Sequence, residues 1–218
     1  MTWNSEFALS ILPDLLRGLW ITIQATMAAI TIALVLGLVV AVVRYLRIPV
    51  LSQVFGFFVL FIRGTPLLVQ AYAAFFILPH YGIVLSALVT GIIVLGINYS
   101  AYTAEVYRAG IEDVAKGQWE AATALSLPGR PTWTRIVLPQ AVRSIVPMLG
   151  NYWIQMFKDS AILSVITVAE VLYVGQTIGG SEFRFLEPLT IVGLLFLAVS
   201  YPAAVLIRRL ERRLAISR

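Results

Sequence analysis

Long apolar runs constrain the fold of this chain more than any other feature of its sequence. No charged side chain occurs between residues 20 and 43, and a helix needs only about 20 mostly apolar residues to cross a bilayer. Hydrophobic residues make up 60% of the sequence and charged residues only 12%, too little polar surface for a soluble globule of 218 residues. The sequence therefore predicts an all-α membrane protein.

Five spans are predicted within a single domain that covers residues 1–218. Their predicted bounds are 20–43, 54–78, 83–107, 141–157 and 189–207. The second span contains Arg-Gly-Thr-Pro at residues 63–66, and we expect it to kink or break there because proline lacks a backbone donor. Residues 161–174 are too short to cross comfortably and carry Glu170, so a partial or re-entrant helix packed on protein is expected.

The basic residues predict how these spans are oriented, because Lys and Arg concentrate in cytoplasmic loops. If the first, third and fifth spans run inward, 12 of the 16 basic residues become cytoplasmic, while Arg17, Lys158 and Arg184 lie outside. The N-terminus is then outside and the C-terminus inside. The basic residues would then form a rim around the cytoplasmic ends of the spans, beside anionic lipid, so no nucleic-acid partner is expected. The twelve are Arg44, Arg47, Arg108, Lys116, Arg130, Arg135, Arg143, Arg208, Arg209, Arg212, Arg213 and Arg218.

A polar-flanked segment, residues 117–139, lies in the predicted cytoplasmic loop between the third and fourth spans. Its sequence suits a short helix over 117–127, with Gly117 as N-cap, Glu120 in the first turn and Pro128 after the end. Ala121 and Ala122 would let another protein approach the backbone closely. Apolar anchors are supplied by Trp119 and Leu125.

The same segment carries the first resemblance to a known family. Glu-Ala-Ala at 120–122 is followed by Ile-Val-Leu-Pro at 136–139, a spacing that resembles the EAA loop of the permease subunits of bacterial ABC importers. The family pattern has Gly where this chain has Ser126. If the family needs Gly for a left-handed turn, Ser126 is strained; if it needs only a small residue, Ser serves.

The resemblance implies a type I ABC importer transmembrane fold in the bacterial inner membrane. It implies a coupling role for Trp119, Glu120, Ala121, Ala122, Ser126 and Leu127. The implied partners are a second permease subunit, homologous or identical, two ATPase subunits and an extracytoplasmic solute-binding protein. The sequence contains no phosphate-binding loop of the type Gly-x4-Gly-Lys-Ser/Thr. We therefore expect a transport subunit with no cofactor or metal of its own, and ATP and Mg on the partner ATPase.

Two further segments resemble the polar amino acid branch of this family, the importers of histidine, glutamine and arginine. They are Ile-Arg-Gly-Thr-Pro-Leu-Leu-Val-Gln at 62–70 and Tyr-Thr-Ala-Glu-Val-Tyr-Arg-Ala-Gly at 102–110. Residues 100–111, 117–122 and 188–202 look like the ectoine and hydroxyectoine permease within that branch. The implied substrate is a polar amino acid or an amino-acid-like zwitterion.

Polar side chains within the spans fall on shared helical faces and predict a solute path. Three sets are spaced for one face each: Asn98, Tyr102 and Glu105; Asn151, Gln155 and Lys158; and Arg63 with Gln70. The alternative is that they only join helices by hydrogen bonds and ion pairs, with Arg63 and Glu105 pairing with each other or with Asp159 and Glu170.

Two other functional classes compete with the importer. Glu105 and Glu170 within the membrane would also suit an ion-coupled secondary transporter, which needs no ATPase. An integral membrane enzyme has little support, because the sequence has no cysteine and one histidine, His80, which we expect in an outer loop.

Overall fold

A computed structural model of the chain describes residues 2–215, and all regular structure in that range is helical. The α-helices are α1 (Ser5–Tyr45), α2 (Leu51–Gly64), α3 (Leu67–Tyr72), α4 (Ala87–Glu112), α5 (Lys116–Ala124), the single turn α6 (Gly129–Pro131), α7 (Leu138–Asp159), α8 (Val171–Ser181) and α9 (Leu186–Ala215). Short segments of other helix types connect them: π-helices at Ala73–Ile77 and Thr132–Val137, and 3-10 helices at Leu78–Tyr81 and Ser160–Ile166.

By length and composition, the described part of the chain has three single candidate spans, α1, α4 and α9. Two bent helix pairs are further candidates: α2 with Leu67–Tyr81, bent by 105°, and Gly129–Ile166 with α8, bent by 46°. If each bent pair is one span, the total reaches the predicted five.

The first span is much longer than its predicted bounds of 20–43. Helix α1 has 41 residues and is about 60 Å long, twice the thickness of the hydrocarbon layer. Its N-terminal half buries Ile11 and Leu15 against Val171 and Val192 of α8 and α9. The helix therefore continues past its apolar run because protein, rather than lipid, covers that half.

Close packing fixes the direction of α4 relative to α1. A Cβ on Gly37 would lie 2.0 Å from Thr103 Oγ1, and one on Gly96 would lie 2.7 Å from Ile32. Both contacts advance together along the two helices, so α1 and α4 are parallel. Glycines at these positions let the two backbones approach closely, as is usual between membrane helices.

Helix α7 runs the opposite way, and α9 returns. Gly110 and Tyr99 of α4 contact Ile145 and Asp159 of α7, so residue numbers fall along one helix as they rise along the other. Gly150 and Phe157 of α7 contact Ile207 and Phe196 of α9 in the same antiparallel way. The first, third and fifth spans thus run in one direction, as predicted, while the side of the membrane they start from stays a prediction. Of the basic residues counted for that orientation, Arg218 lies outside the described residues.

The predicted break in the second span is confirmed, and Gln70 bridges it. Pro66 has no N–H to donate to the carbonyl of Ile62, and Gln70 Nε2 donates to that carbonyl instead at 2.9 Å. The same amide donates to the carbonyl and the hydroxyl oxygen of Thr65, at 3.2 and 2.7 Å. The backbone polar groups freed by the bend are thereby satisfied inside the protein.

Helix α7 continues past the predicted end of the fourth span at residue 157, while the placement of Lys158 outside stays a prediction. Asp159, the last residue of α7, accepts a hydrogen bond from Tyr99, which lies midway along α4. The 3-10 helix Ser160–Ile166 and α8 follow, and together with α7 they form one of the bent candidate spans. The segment 161–174, expected as one partial helix, is the 3-10 helix and the start of α8, with a non-helical break at residues 167–170.

Candidate functional site

A polar cleft of about 360 Å³ lies where the break in the second span faces α4 and α7. The bend between α2 and α3 supplies one wall, and one face of each of the other two helices supplies the rest. Its lining comprises Arg63, Gly64, Thr65, Pro66, Leu67, Asn98, Tyr99, Tyr102, Tyr152, Gln155 and Asp159.

Opposite charges line this cleft. Arg63 places its guanidinium 5.3 Å from the ring centroid of Tyr102, a cation–π contact. Asp159 accepts a hydrogen bond of 2.6 Å from the hydroxyl of Tyr99. The cleft is thus lined by one basic and one acidic side chain, and the amide side chains of Asn98 and Gln155 also line it.

Three tyrosine rings join α4 to α7 beside these charges. The ring of Tyr102 lies 5.8 Å from that of Tyr99 and 5.6 Å from that of Tyr152, centroid to centroid. Tyr99 is only 2% exposed, so it anchors the group in the core. Such aromatic contacts hold the wall rigid.

Of the predicted path residues, the structure brings Arg63, Asn98, Tyr102 and Gln155 together in the cleft. Gln70 lies behind them, where its Oε1 accepts a hydrogen bond of 3.0 Å from Asn98.

Asn151 and Lys158 line an adjoining cavity of about 520 Å³, which shares Gln155 and Asp159 with the cleft. Asn151 also borders a larger cavity at the cytoplasmic end of α7, as defined by the predicted orientation, near Arg143 and Glu211.

Glu105 does not face the cleft. Its carboxylate forms ion pairs with Arg44 at the end of α1 and with Arg108 one turn further along α4, the second at 2.7 Å. Arg108 also pairs with Glu112 at 2.6 Å. The predicted helix-joining alternative describes the placement of Glu105, although its partners are Arg44 and Arg108, not Arg63.

The sequence reasoning missed Tyr99 and Tyr152 as lining residues and treated Asp159 only as a pairing partner. A signal was present, because Tyr152, Gln155 and Asp159 follow the i, i+3, i+7 spacing of one helical face. The predicted set Asn151, Gln155 and Lys158 follows the neighbouring face. The sequence does not show which of two adjacent faces meets α4.

Glu170 is fully buried and caps α8. Its Oε1 accepts a hydrogen bond of 2.7 Å from the backbone N–H of Tyr173, and its Oε2 accepts one of 3.5 Å from the hydroxyl of Thr22. The N–H of Val171 donates to the same Thr22 oxygen at 3.1 Å. Glu170 therefore fastens the start of α8 to α1.

The coupling segment contains the predicted helix, with different ends. Helix α5 begins at Lys116 after Ala115, which provides no side-chain cap, so Gly117 is not the N-cap and Glu120 lies beyond the first turn. The helix ends at Ala124, three residues before the predicted end at Leu127.

Ser126 has a left-handed backbone, with φ of 53°. The N–H of Leu127 donates to the carbonyl of Ala122 at 3.0 Å, and that of Ser126 donates to the carbonyl of Thr123 at 2.9 Å. These two bonds form a Schellman motif, which normally places Gly at this position. The structure thus decides between the two alternatives: the position requires a left-handed turn, and Ser126 adopts it at a cost of roughly 1 kcal/mol.

Helix α5 has one packed face and one exposed face. Ala122 is buried, and the ring of Trp119 packs edge to face on Trp133 at 5.3 Å, so neither is fully presented to a partner. Glu120, Ala121 and Leu125 are exposed, Leu125 at 72%. An apolar side chain so exposed beside a small residue is suited to contact with another protein.

Comparison with known proteins gives consistent matches over nearly the whole chain. Residues 11–216 match the family described as "Binding-protein-dependent transport system inner membrane component". The chain is 44% identical to a probable amino-acid ABC transporter permease protein, y4tG, of Sinorhizobium fredii, covering 95% of this chain and 90% of that one. It is 34% identical to the L-cystine transport system permease protein TcyB of Bacillus subtilis, covering 94% and 90%.

The fold is shared with a solved transporter. The crystal structure of an amino acid ABC transporter with histidines superposes with a TM-score of 0.93 at 35% identity, covering 98% of this chain and 100% of that one. The inward-facing MetNI methionine ABC transporter has the same fold, with a TM-score of 0.77 at 20% identity.

Proposed function

We propose a function from one premise: this chain belongs to the family of binding-protein-dependent transport system inner membrane components, and it is the permease subunit of an ABC importer for amino acids. As such it is a transport component of the inner membrane rather than an enzyme, and it works with a separate ATPase and a substrate-binding protein. On this premise, the chain moves a polar amino acid or an amino-acid-like zwitterion through the polar cleft by alternating access.

The observation that carries the proposal is that Arg63 and Asp159, which carry opposite charges, line the same cleft. The carboxylate of the solute binds Arg63, whose planar guanidinium suits two parallel hydrogen bonds. The cationic group of the solute faces Asp159, while Asn98 and Gln155 orient the molecule. Charged groups inside a membrane protein are costly and mark solute pathways when they line a cavity.

Ectoine and hydroxyectoine are candidate solutes within this class. Each combines a carboxylate with a delocalised ring cation, and aromatic faces such as those of Tyr102 and Tyr152 favour a cation of this kind. The relative TcyB is an L-cystine permease, and the solved transporter contains histidines, so α-amino acids are the competing candidates.

The exposed face of α5 supports a coupling role for the segment 117–127. We propose that this face docks on the ATPase subunit, which holds the ATP and Mg. Asn151, Gln155 and Lys158 on α7 are exposed and would be costly against lipid, so we propose that a second permease subunit, identical or homologous, covers them. Each of the two permeases would then dock one ATPase.

The purified complex of permease, ATPase and binding protein in proteoliposomes tests the cleft. We expect Arg63→Ala to lower the uptake of the best solute by roughly tenfold or more, since a charge-assisted hydrogen bond contributes about 1.5–3 kcal/mol. The control is Arg17→Ala, because Arg17 is exposed and pairs only locally with Asp14. Equal uptake by both variants would exclude the cleft as the binding site. A solute panel of amino acids and ectoines identifies the substrate.

The competing function is an ion-coupled secondary transporter. The contacts of Glu105 with two arginines, and of Glu170 with the cap of α8, give both carboxylates structural partners and weaken that alternative. Uptake by the permease alone, driven by an ion gradient in liposomes without the ATPase, would establish it.

A further inference from the structure

Three aromatic rings form a row from the coupling helix to the end of α1. Trp133, in the π-helix that precedes α7, lies between Trp119 of α5 and Tyr45, the last residue of α1. Its ring centroid is 5.3 Å from that of Trp119 and 5.2 Å from that of Tyr45. Both pairs meet edge to face, with interplanar angles of 77° and 88°. We call these three residues the aromatic row.

Trp133 also joins the helices on either side of the coupling segment. It packs with Trp119 against a cluster that contains Val106 of α4, Val137 at the end of the same π-helix and Ala141 in the first turn of α7. It occupies a π-helical segment, a rare conformation that is frequently found at functional sites. Trp133 is half-buried, contacts α5 and α1 through its ring, and packs on a cluster to which α4 and α7 contribute.

The far end of the row is firmly attached to the membrane bundle. Arg44, next to Tyr45, forms an ion pair with Glu105 of α4. Further along the same pair of helices, Gly37 of α1 lies against Thr103 of α4, whose hydroxyl donates to the carbonyl of Ala33 at 2.7 Å. A displacement of Tyr45 would therefore move α1 and α4 together.

We propose that Trp133 is a positioning residue that transmits movement of the coupling helix directly to α1 and α4. The chain already joins α5 to α7 covalently, so the aromatic row adds a second route, which moves the wall of the cleft that carries Asn98 and Tyr102 along with the α7 wall. Edge-to-face rings suit this role because they have a preferred geometry and lose little conformational entropy when ordered. The inference rests on the proposed docking of α5 on an ATPase.

The test uses the reconstituted complex and measures ATP hydrolysis and solute uptake separately. Trp133→Ala should keep substrate-stimulated hydrolysis while the uptake per ATP falls about two- to tenfold, the range that corresponds to one or two aromatic contacts. Trp133→Phe should restore most of the ratio, because a ring remains between the two partners. Trp20→Ala, which removes an aromatic ring that is 60% exposed elsewhere on α1, is the matched control. A proportional fall of hydrolysis and uptake in Trp133→Ala, or no fall, would overturn the proposal.

Tyr45→Leu probes the same route from α1, outside the coupling helix that is proposed to dock the ATPase. It should lower the uptake per ATP as Trp133→Ala does. The double variant should be no worse than either single variant, because each of the three variants interrupts the same aromatic row. Multiplying losses would show that the two residues act independently and would contradict the row. Absence of ATP-dependent uptake in the unmodified complex would instead reject the proposed function, so the two failures are distinguishable.

A distance measurement gives a readout that a purely structural role would not change. The sequence has no cysteine, so a pair of spin labels can be placed uniquely at Leu46→Cys, after α1, and Lys116→Cys, at the start of α5. With Trp133 present, we expect the distance between the two labels to be narrowly distributed and the same with and without ATP, because α5 and α1 move together. With Trp133→Ala added, we expect the same distance to change on ATP binding. An unchanged distance in that variant would overturn the proposal.

Discussion

The polar cleft and the coupling segment are built in opposite ways. The cleft is assembled from distant parts of the chain: Asn98 bonds to Gln70, 28 positions away, and Tyr99 bonds to Asp159, 60 positions away. Helix α5 is closed by local backbone bonds at Ser126 and Leu127 and rests on its own chain along one face. Changes in the coupling segment should therefore alter function without altering folding, whereas changes in the bundle around the cleft should affect both.

The largest effect is expected from Glu120→Arg on the exposed face of α5. Reversing a charge at the centre of the proposed ATPase contact should lower ATP-dependent uptake by about 30-fold or more, the effect of losing an interface hot spot. Because Glu120 is exposed, the amount of protein inserted in the membrane should not change. Glu182→Arg, at the opposite end of the molecule, is the control. Normal uptake by Glu120→Arg would remove the coupling role from α5.

Asp159→Asn tests the cleft side of the comparison. It removes the negative charge that faces the cationic group of the solute, and we expect roughly tenfold weaker solute binding to the complex, measured at equilibrium. Since Tyr99 also loses its charged acceptor, the free energy of unfolding should fall too. Asp14→Asn makes the same chemical change at an exposed position and should alter neither quantity. Unchanged solute affinity in Asp159→Asn would place the cationic group elsewhere.

Two Gly→Ala substitutions compare the regions by stability alone. At Gly37 the added Cβ would lie 2.0 Å from Thr103 Oγ1 and 2.9 Å from the carbonyl of Ser100, so we expect a loss of about 1–3 kcal/mol in the free energy of unfolding. At Gly117 nothing lies within 4 Å, and alanine should stabilise α5 by about 0.5–1 kcal/mol. Denaturant titration in detergent measures both. Equal effects at the two positions would show that the regions do not differ in packing.

The smallest effect is expected from Ser126→Gly. Glycine relieves the left-handed strain but gains entropy in the unfolded chain, which leaves a net stabilisation of about 0.5 kcal/mol. Ser126→Ala keeps a small side chain with the same strain and should give no such gain, which separates backbone conformation from size. Greater stability in the alanine variant than in the glycine variant would contradict the assignment of strain.

Local sequence rules predicted some of these features well. The break at Pro66 follows from the missing N–H of proline and its restriction of the preceding residue, which act within a few positions. The end of α5 at Ala124 does not follow from Pro128, because the left-handed turn at Ser126 closes the helix first. The start of α5 at Lys116 rather than after Gly117 shows the limit of these rules, because no side chain caps that end and the sequence therefore carries no local signal for it.

The sequence by itself determined that this chain crosses a membrane, roughly where, and which segment resembles the coupling loop of an importer. Apolar runs act through the surrounding solvent and proline acts through the local backbone, so both effects can be read from the linear sequence. Only the tertiary structure decided that Glu105 pairs with Arg44 and Arg108, that Asp159 faces the cleft, and that α1 extends beyond its apolar run. Those outcomes depend on which helical faces meet, and that is fixed by packing between residues far apart in the chain.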